Sequence, residues 1–294
     1  MSRLLRRSLT AAFLVLATAM PAIAQERCGT ADLDLALQEQ VRVAVEGMSG
    51  GPVIHEGIIQ VAFHVIHNGT IGNIPQSWID DQMLVLNAAY APLGVTFQLA
   101  VVNRVLNATW FTATDGSAAE TAMHNALAVD PAHYMNFYSI NPGGGLLGWA
   151  YYPVSYPESD KHHSVNVHYN SLPGGTLVPY HLGDTGTHEV GHYLGLFHTF
   201  QSGCGGLGDQ IADTPAEASP AFGCPVGRNT CAAAGLDPIE NFMDYTDDTC
   251  MYQFTPNQFS RMDAQLALYR PSLLANKPVP TVQRSWGQLK VAYR

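Results

Sequence analysis

Three histidines and one glutamate stand at fixed intervals in the stretch HEVGHYLGLFH, which runs from His188 to His198. On a helix, His188 and His192 lie one turn apart on the same face, so both imidazoles can bind one metal ion. Gly195 can adopt a left-handed conformation that ends the helix sharply, which lets the chain return His198 to the same ion. Three neutral nitrogens and one open position form the arrangement that catalytic zinc prefers.

The acid beside the first histidine is placed for hydrolysis. Glu189 projects from an adjacent face of the helix, close to the metal without binding it. A carboxylate there can take a proton from a zinc-bound water and deliver it to a leaving amine. The alternative is an amphipathic core helix that happens to be rich in histidine. It is the weaker interpretation, because five fixed residue types at these spacings rarely occur by chance.

The surrounding residues resemble one protease family. The pattern H-E-x-x-H-x-x-G-x-x-H, followed by a methionine turn in NFMDYTDDTC (241–250), is the metzincin signature. The segments DTPAEASPAFGCP and NFMDYTDDTCMYQFTPNQFSRM are similar to the pappalysin family of metzincins, especially its secreted bacterial and fungal members. The resemblance covers about Ile54 to Arg270. It implies an α/β (α+β) metzincin-like zinc protease fold, with a twisted mixed sheet and long helices in the N-terminal lobe and an irregular C-terminal lobe.

The resemblance also implies roles for individual residues. The zinc ligands and the general base of the family correspond to His188, His192, His198 and Glu189. Met243 matches the methionine that lies beneath the metal. Tyr245 matches a tyrosine whose phenol can donate a hydrogen bond to the oxyanion on the scissile carbonyl. Ordinary core packing is the alternative for Met243 and Tyr245.

The five cysteines divide into a late cluster and one early residue. The cluster comprises Cys204, Cys224, Cys231 and Cys250. In an exported protein it indicates two disulfides, and the residues alone leave three pairings open. The family resemblance implies the crossed pattern, Cys204 with Cys231 and Cys224 with Cys250.

Cys28 lies in the early segment RCGT. This segment is similar to the latency switch of the family and of other metzincins, in which a thiolate takes the fourth zinc position and displaces water. The resemblance therefore implies a zymogen. A cysteine without a role, or one that forms an intermolecular disulfide, is the alternative.

Oxygen donors follow the third histidine in the loop GDQIADTP. Members of the family bind calcium around this region, and the resemblance points to Asp209, Asp213 and Thr214 as ligands. Hard carboxylate and carbonyl oxygens suit that ion. A solvated acidic loop is the alternative.

The residue before the last cysteine bears on substrate preference. Some members of the family cut before Arg or Lys, because an aspartate at that position lies at the base of the S1′ pocket, which holds the residue after the scissile bond. Thr249 occupies the position here, with Asp247 and Asp248 just before it. This alignment predicts a broader or apolar S1′ preference.

The N-terminus has the pattern of a secretory signal. Arg3, Arg6 and Arg7 precede an apolar run that Pro21 ends, and an A-x-A cleavage site (22–24) follows. The run is too short for a membrane anchor. We expect a signal peptide (1–24), a pro-segment (25–53), a catalytic domain (54–272), a tail without an assigned role (273–294), and secretion to an extracellular or periplasmic location.

Composition and periodicity set the remaining expectations. A chain of 294 residues with a formal net charge of −10 can bury one sizeable core. It is a poor candidate for binding nucleic acid or an anionic membrane. Strands are predicted at 58–67, 95–102, 135–140, 146–153 and 163–169, and helices at 75–91, 118–128 and 255–270. The strand at 146–153 is expected to bind a peptide substrate by strand addition. The remaining histidines are expected to be ordinary core or surface residues, with the pair at 162–163 exposed.

Together these features predict a secreted zinc endopeptidase that acts on proteins or peptides. A catalytically silent binding module with the same fold is one alternative, which the presence of Glu189 and all three histidines disfavours. A zinc hydrolase that acts on small non-peptide substrates is another, and the metal ligands alone do not distinguish it.

Overall fold

The computed structural model describes residues 27–48, 57–232 and 235–274. The predicted signal peptide, the predicted junction between pro-segment and catalytic domain, and nearly all of the predicted tail lie outside this range, so the domain boundaries stay predictions. Within the described ranges, no helix is long and apolar enough to cross a membrane.

A five-stranded sheet with the order β2-β1-β3-β5-β4 lies at the centre. Its strands are β1 (Gly57–His67), β2 (Val95–Leu106), β3 (Tyr134–Ile140), β4 (Gly148–Ala150) and β5 (Ser164–His168). All neighbours are parallel except β4, which runs antiparallel to β5 at the edge. Both β1 and β3 are buried over most of their length, as central parallel strands with elements on both faces must be. The predicted mixed sheet is confirmed, and β2 continues beyond its predicted end.

Six helices accompany the sheet in the described residues: α1 (Leu35–Gly47), α2 (Gln76–Ala89), α3 (Ala108–Phe111), α4 (Ala118–Leu127), α5 (Asp184–Tyr193) and α6 (Pro256–Tyr269). The predicted helices α2, α4 and α6 lie close to their expected bounds. At the start of α6, the Thr255 hydroxyl accepts a hydrogen bond from the Gln258 amide and the Gln258 side-chain oxygen accepts one from the Thr255 amide, which forms a capping box.

Two apolar clusters hold the layers together. The larger lies between the sheet and helices α2, α5 and α6, and includes Phe63, Leu86, Val190 and Leu266. A smaller cluster, centred on Trp149, covers the opposite face towards α3 and α4. Since burying one such side chain stabilises the fold by about 1.5–3 kcal/mol, the two clusters fix the sheet that positions α5.

The segment between α5 and α6 forms the C-terminal lobe. In its described residues it contains neither a helix nor a strand beyond one isolated bridge between Asn241 and Gln253. Two disulfides stabilise it, Cys204–Cys231 and Cys224–Cys250. The crossed pairing implied by the family resemblance is therefore confirmed, and Cys28 is left as a free, buried thiol.

One expectation about the other histidines was wrong. His163 is fully buried rather than exposed. Its ring lies 3.0 Å from the Tyr156 carbonyl oxygen, while His162 stacks on the Tyr156 ring at a centroid distance of 4.7 Å. Both histidines therefore contact Tyr156, which lies outside the predicted strand at 163–169.

Buried His64 gives the stability of the fold a predictable pH dependence. Its ring lies 3.0 Å from Asn136 Oδ1 and 3.2 Å from Asn103 Nδ2, and burial lowers its pKa to about 4. In the unfolded chain the pKa of a histidine is about 6.5, so His64 is neutral in both the folded and the unfolded state above that pH. As the pH falls from 6.5 towards 4, only the unfolded state gains the proton, which costs up to about 1.4 kcal/mol of stability per pH unit.

We expect the free energy of unfolding of the His64→Gln variant, which keeps a donor and an acceptor, to fall less steeply between about pH 7 and pH 4.5. The difference in slope should correspond to roughly one fewer proton taken up on unfolding. Urea unfolding at several pH values measures this slope. The variant His67→Gln, at the end of the same strand, is the control. Identical slopes for wild type and His64→Gln would contradict the prediction.

Candidate metal centre and substrate cleft

Helix α5 carries the first two histidines and is buried along its whole length. It packs against the sheet edge at β4 and β5, and on another side His188 and Gly191 contact Phe242 and Met243 of the C-terminal lobe. A polar side chain on such a helix needs a partner, because an unpaired buried polar group is costly. The partners of the histidines therefore define what this helix can do.

Backbone carbonyls fix two of the imidazoles. His188 Nδ1 lies 2.7 Å from the Phe242 carbonyl oxygen, and His192 Nδ1 lies 2.8 Å from that of Leu196. A carbonyl can only accept, so each Nδ1 carries the proton and each Nε2 is left with a lone pair. His192 Nε2 lies 3.1 Å from the Nε2 atoms of both His188 and His198.

The three rings are neutral. Burial lowers the pKa of His192 to about 4 and lowers those of His188 and His198 well below the usual value. Three lone pairs that converge at 3.1 Å repel one another unless a cation lies between them. Ligands at 2.0–2.1 Å around a tetrahedral ion would be about 3.3 Å apart, so these residues fit a divalent metal ion.

Two groups from the early segment lie at the same point. The Cys28 sulfur and the three histidine nitrogens all lie within 4.8 Å of one another. Cys28 Sγ is 3.4 Å from Glu189 Oε2, and Thr30 Oγ1 is 3.1 Å from the same oxygen. Burial raises the pKa of Glu189 to about 8, and burial together with the Glu189 carboxylate raises that of Cys28 well above its usual range.

The early segment is bound to the exposed edge of the sheet. The Leu147 amide donates to the Arg27 carbonyl at 2.9 Å, and the Gly29 amide donates to the Gly148 carbonyl at 2.8 Å. Cys28 forms a parallel bridge with Gly148 in β4. The segment predicted to be a peptide-binding edge strand is thus an edge strand, and the peptide it holds is part of the same chain.

Arg27 fills a pocket next to the metal centre. Its guanidinium donates to Asp248 Oδ1 at 2.9 Å and to the Thr246 carbonyl, and it lies 4.2 Å from the centroid of the Tyr180 ring. Both charged groups are almost completely buried. Sequence reasoning singled out Thr249, which is exposed. The arginine next to Cys28 was the one signal that could have pointed to Asp248.

The methionine turn lies directly beneath the metal-binding helix. A Cβ atom on Gly191 would lie 2.4 Å from the Met243 sulfur, so only glycine lets the methionine approach so closely. Gly195, with φ of +97°, makes the left-handed turn that the sequence predicted. The Tyr245 hydroxyl lies 3.2 Å from His198 Nε2, so the structure brings both predicted residues to the centre.

The predicted calcium residues do not form one group. Asp209 accepts hydrogen bonds from the Thr214 hydroxyl at 2.8 and 2.7 Å. Asp213 instead accepts from the Thr255 hydroxyl at 2.6 Å and the Asn257 amide at 3.0 Å, at the start of α6. A calcium ion bound through Asp209 and Thr214 stays a prediction.

Beside the metal centre lies an open cavity of about 510 Å³. His198, Phe200 and Tyr245 line one side, while Thr114 and Asp115 line another. Residues 28–32 of the early segment run along it. The site therefore has the features of a metalloprotease: three neutral imidazoles, an adjacent acid, an edge strand and an open cleft.

Comparisons with known proteins identify the family. Residues 119–267 match the family model of peptidase M43, described as pregnancy-associated plasma protein-A. An extracellular metalloprotease of Sordaria macrospora is 42% identical over 81% of this chain and 83% of its own length. Extracellular metalloprotease 1 of Coccidioides posadasii is 40% identical over 89% of this chain and 96% of its own length. The chain belongs to this peptidase family and is a secreted metalloprotease.

Solved structures agree with this assignment. A promirolysin mutant from Tannerella forsythia superposes with a TM-score of 0.70 at 25% identity, over 86% of this chain and all of that chain. Mirolysin in complex with a compound gives a TM-score of 0.66 at 28% identity, over 75% of this chain and 98% of that chain. The predicted metzincin-type fold is confirmed.

Proposed function

We propose that this protein is a zinc endopeptidase that is made as a latent precursor and prefers a basic residue directly after the bond it cuts. The observation that carries the proposal is the convergence of Cys28 and three neutral imidazoles on one point beside Glu189. Zinc suits this donor set of three nitrogens and one sulfur. When bound, zinc polarises a peptide carbonyl and lowers the pKa of a neighbouring water.

Each side chain at the centre then has a role. His188, His192 and His198 hold the ion. Glu189 accepts the proton of the attacking water and passes it to the leaving amine. Tyr245, whose hydroxyl lies beside His198, donates a hydrogen bond to the oxyanion of the substrate.

The pro-segment blocks this chemistry in two ways. Cys28 would occupy the position that water needs at a bound metal ion, since its sulfur lies among the imidazole nitrogens. Thr30 and Cys28 also engage the Glu189 carboxylate, so the base is occupied as well. The promirolysin mutant matches 86% of this chain and mature mirolysin with a cleaved peptide matches 75%, which supports a pro-segment.

The Arg27 pocket becomes the S1′ pocket once the pro-segment leaves. Asp248 also accepts a hydrogen bond from the Leu182 amide at 2.8 Å, so its carboxylate stays in place. A buried carboxylate without a cation is strongly disfavoured, so an arriving Arg or Lys side chain is favoured over an apolar one. An apolar pocket, expected from Thr249, does not fit these contacts.

The first test is hydrolysis of denatured casein by the processed protein. We expect Glu189→Ala to lower kcat by about 10²–10⁴-fold while it retains about one zinc per chain, because the base is lost and the ligands remain. Chelation should abolish activity and added zinc should restore it. Glu240→Ala serves as the control acid variant. A folded, processed wild type that holds zinc but cleaves neither casein nor a peptide library would contradict the proposal.

Latency is tested on the unprocessed chain. We expect Cys28→Ala to release activity towards a short fluorogenic peptide and to speed removal of the pro-segment, because water then reaches the metal. In a Glu189→Ala background, which prevents self-cleavage, cobalt-loaded precursor should show a thiolate-to-cobalt absorption band that Cys28→Ser removes. A Cys28→Ala precursor that stays fully latent would refute the switch.

Substrate preference is tested with a peptide library. We expect cleavage before Arg and Lys, and we expect Asp248→Asn to reduce this preference at least about tenfold because the buried charge partner is removed. The neighbouring variant Asp247→Asn should leave it unchanged. An apolar preference in the wild type, or an Asp248→Asn enzyme with unaltered selectivity, would overturn the assignment of the pocket.

A further inference from the structure

We propose that Arg261, a residue of α6, is a positioning residue for two of the three metal-binding histidines. Its guanidinium holds both ends of the turn Gly195–Phe197, on which His192 and His198 depend. The inference rests on the proposed function, since it assumes that these histidines bind the metal.

The turn serves both histidines at once. Its middle residue, Leu196, offers the carbonyl oxygen that lies 2.8 Å from His192 Nδ1 and sets the orientation of that ring. The next residue but one is His198, so the path of the turn decides where the third imidazole arrives. The Leu196 amide donates to the Gly191 carbonyl at 2.9 Å. This bond connects the turn to α5 but does not restrain the side of the turn that faces away from α5.

Arg261 provides the anchor on the other side. Its Nε donates to the Gly195 carbonyl at 2.9 Å, and its guanidinium carbon lies 4.6 Å from the centroid of the Phe197 ring. Gly195 and Phe197 flank Leu196, so a single planar group fixes both neighbours of the carbonyl that orients His192. Nη1 of Arg261 also donates to Gln210 Oε1 at 3.1 Å, which connects Arg261 to the loop that follows His198.

The contacts of Arg261 with Gly195 and Phe197 are strong because the guanidinium is charged and shielded from water. Arg261 is only 4% exposed. Burial lowers its pKa to about 10, so the side chain is still protonated at neutral pH. A hydrogen bond from a charged donor is roughly twice as strong as a neutral one, and a guanidinium can stack on a ring while it donates in its own plane.

His198 depends on this anchor more than its companions do. Among the described residues, His188 and His192 each have a backbone carbonyl at Nδ1, whereas the polar contacts given for His198 are at Nε2, to His192 Nε2 and the Tyr245 hydroxyl. The His198 ring stacks instead on Phe200 at a centroid distance of 4.7 Å. Stacking restrains the tilt of a ring but not its position along the plane, so the backbone of the turn must supply that restraint.

A second arginine, at the C-terminal cap of the same helix, offers a matched control. Arg270 is also fully buried, lies 4.8 Å from the centroid of the Tyr193 ring and donates to the Tyr193 hydroxyl at 2.8 Å. It contacts α5 itself and not the turn. Arg261→Met and Arg270→Met therefore remove equivalent charges and ring contacts from α6, and only the first releases the turn.

The experiment measures how fast zinc leaves the full-length Glu189→Ala chain after a chelator is added, together with the thermal stability of the metal-free form. We expect Arg261→Met to release zinc about 10–100-fold faster than its parent, the range found when a group that orients a ligand is lost. Arg261→Lys, which keeps the charge but not the planar fork, should fall in between. Arg270→Met should destabilise the metal-free form comparably but release zinc at nearly the parental rate.

Activity adds an independent readout. In the processed enzyme with Glu189 intact, Arg261→Met should lower kcat more than it raises KM, because it disturbs the metal centre and leaves the peptide-binding edge unchanged. Equal zinc release from Arg261→Met and Arg270→Met would overturn the inference. If Arg261→Met fails to fold, a folded Arg261→Lys variant that releases zinc at the parental rate would also overturn the inference. A parent chain that binds no zinc would instead refute the proposed function itself.

Discussion

The metal centre depends on two hydrogen bonds from imidazole Nδ1 atoms to backbone carbonyls. The carbonyl of Phe242 belongs to the methionine turn, and that of Leu196 belongs to the turn after α5. Each bond selects the tautomer in which Nε2 is free to bind an ion. Both acceptors lie outside regular secondary structure, so the site requires irregular backbone to be as fixed as a helix. The crossed disulfides, the methionine beneath Gly191 and the side chains of α6 meet that requirement.

The early segment, residues 27–30, uses the same physical features that a peptide substrate would use. Its backbone pairs with the exposed edge at Gly148, its arginine is neutralised by Asp248, and its thiol lies among the imidazoles. The first two of these contacts compensate for costs that the empty cleft would carry, which are an unpaired strand edge and a buried carboxylate without a cation. A cleft with an unpaired strand edge and an unpaired carboxylate can accept a peptide at the positions that the early segment occupies.

The predictable features were those that follow from local periodicity. The spacing of His188, His192 and Gly195 determines a helix face and a turn, so α5 and its histidines could be placed from the sequence. The disulfide pairing came from family resemblance alone, because four cysteines permit three pairings. Asp248 was missed because a shift of one residue in an irregular loop decides which side chain is buried and which is exposed. Arg261 gave no local signal, since the carbonyl it holds lies 66 positions away and only the packing of α6 brings the two together.

The crossing of the two disulfides has a consequence for a protein that must survive among active copies of itself. The loops closed by Cys204–Cys231 and Cys224–Cys250 overlap, so every peptide bond between Cys204 and Cys250 lies within at least one covalent ring. A single cut anywhere in this irregular stretch opens a ring but separates no fragment. Met243, Tyr245 and Asp248 all lie inside that interval, so one nick by a neighbouring protease molecule leaves them covalently attached to the helix that carries His188 and His192.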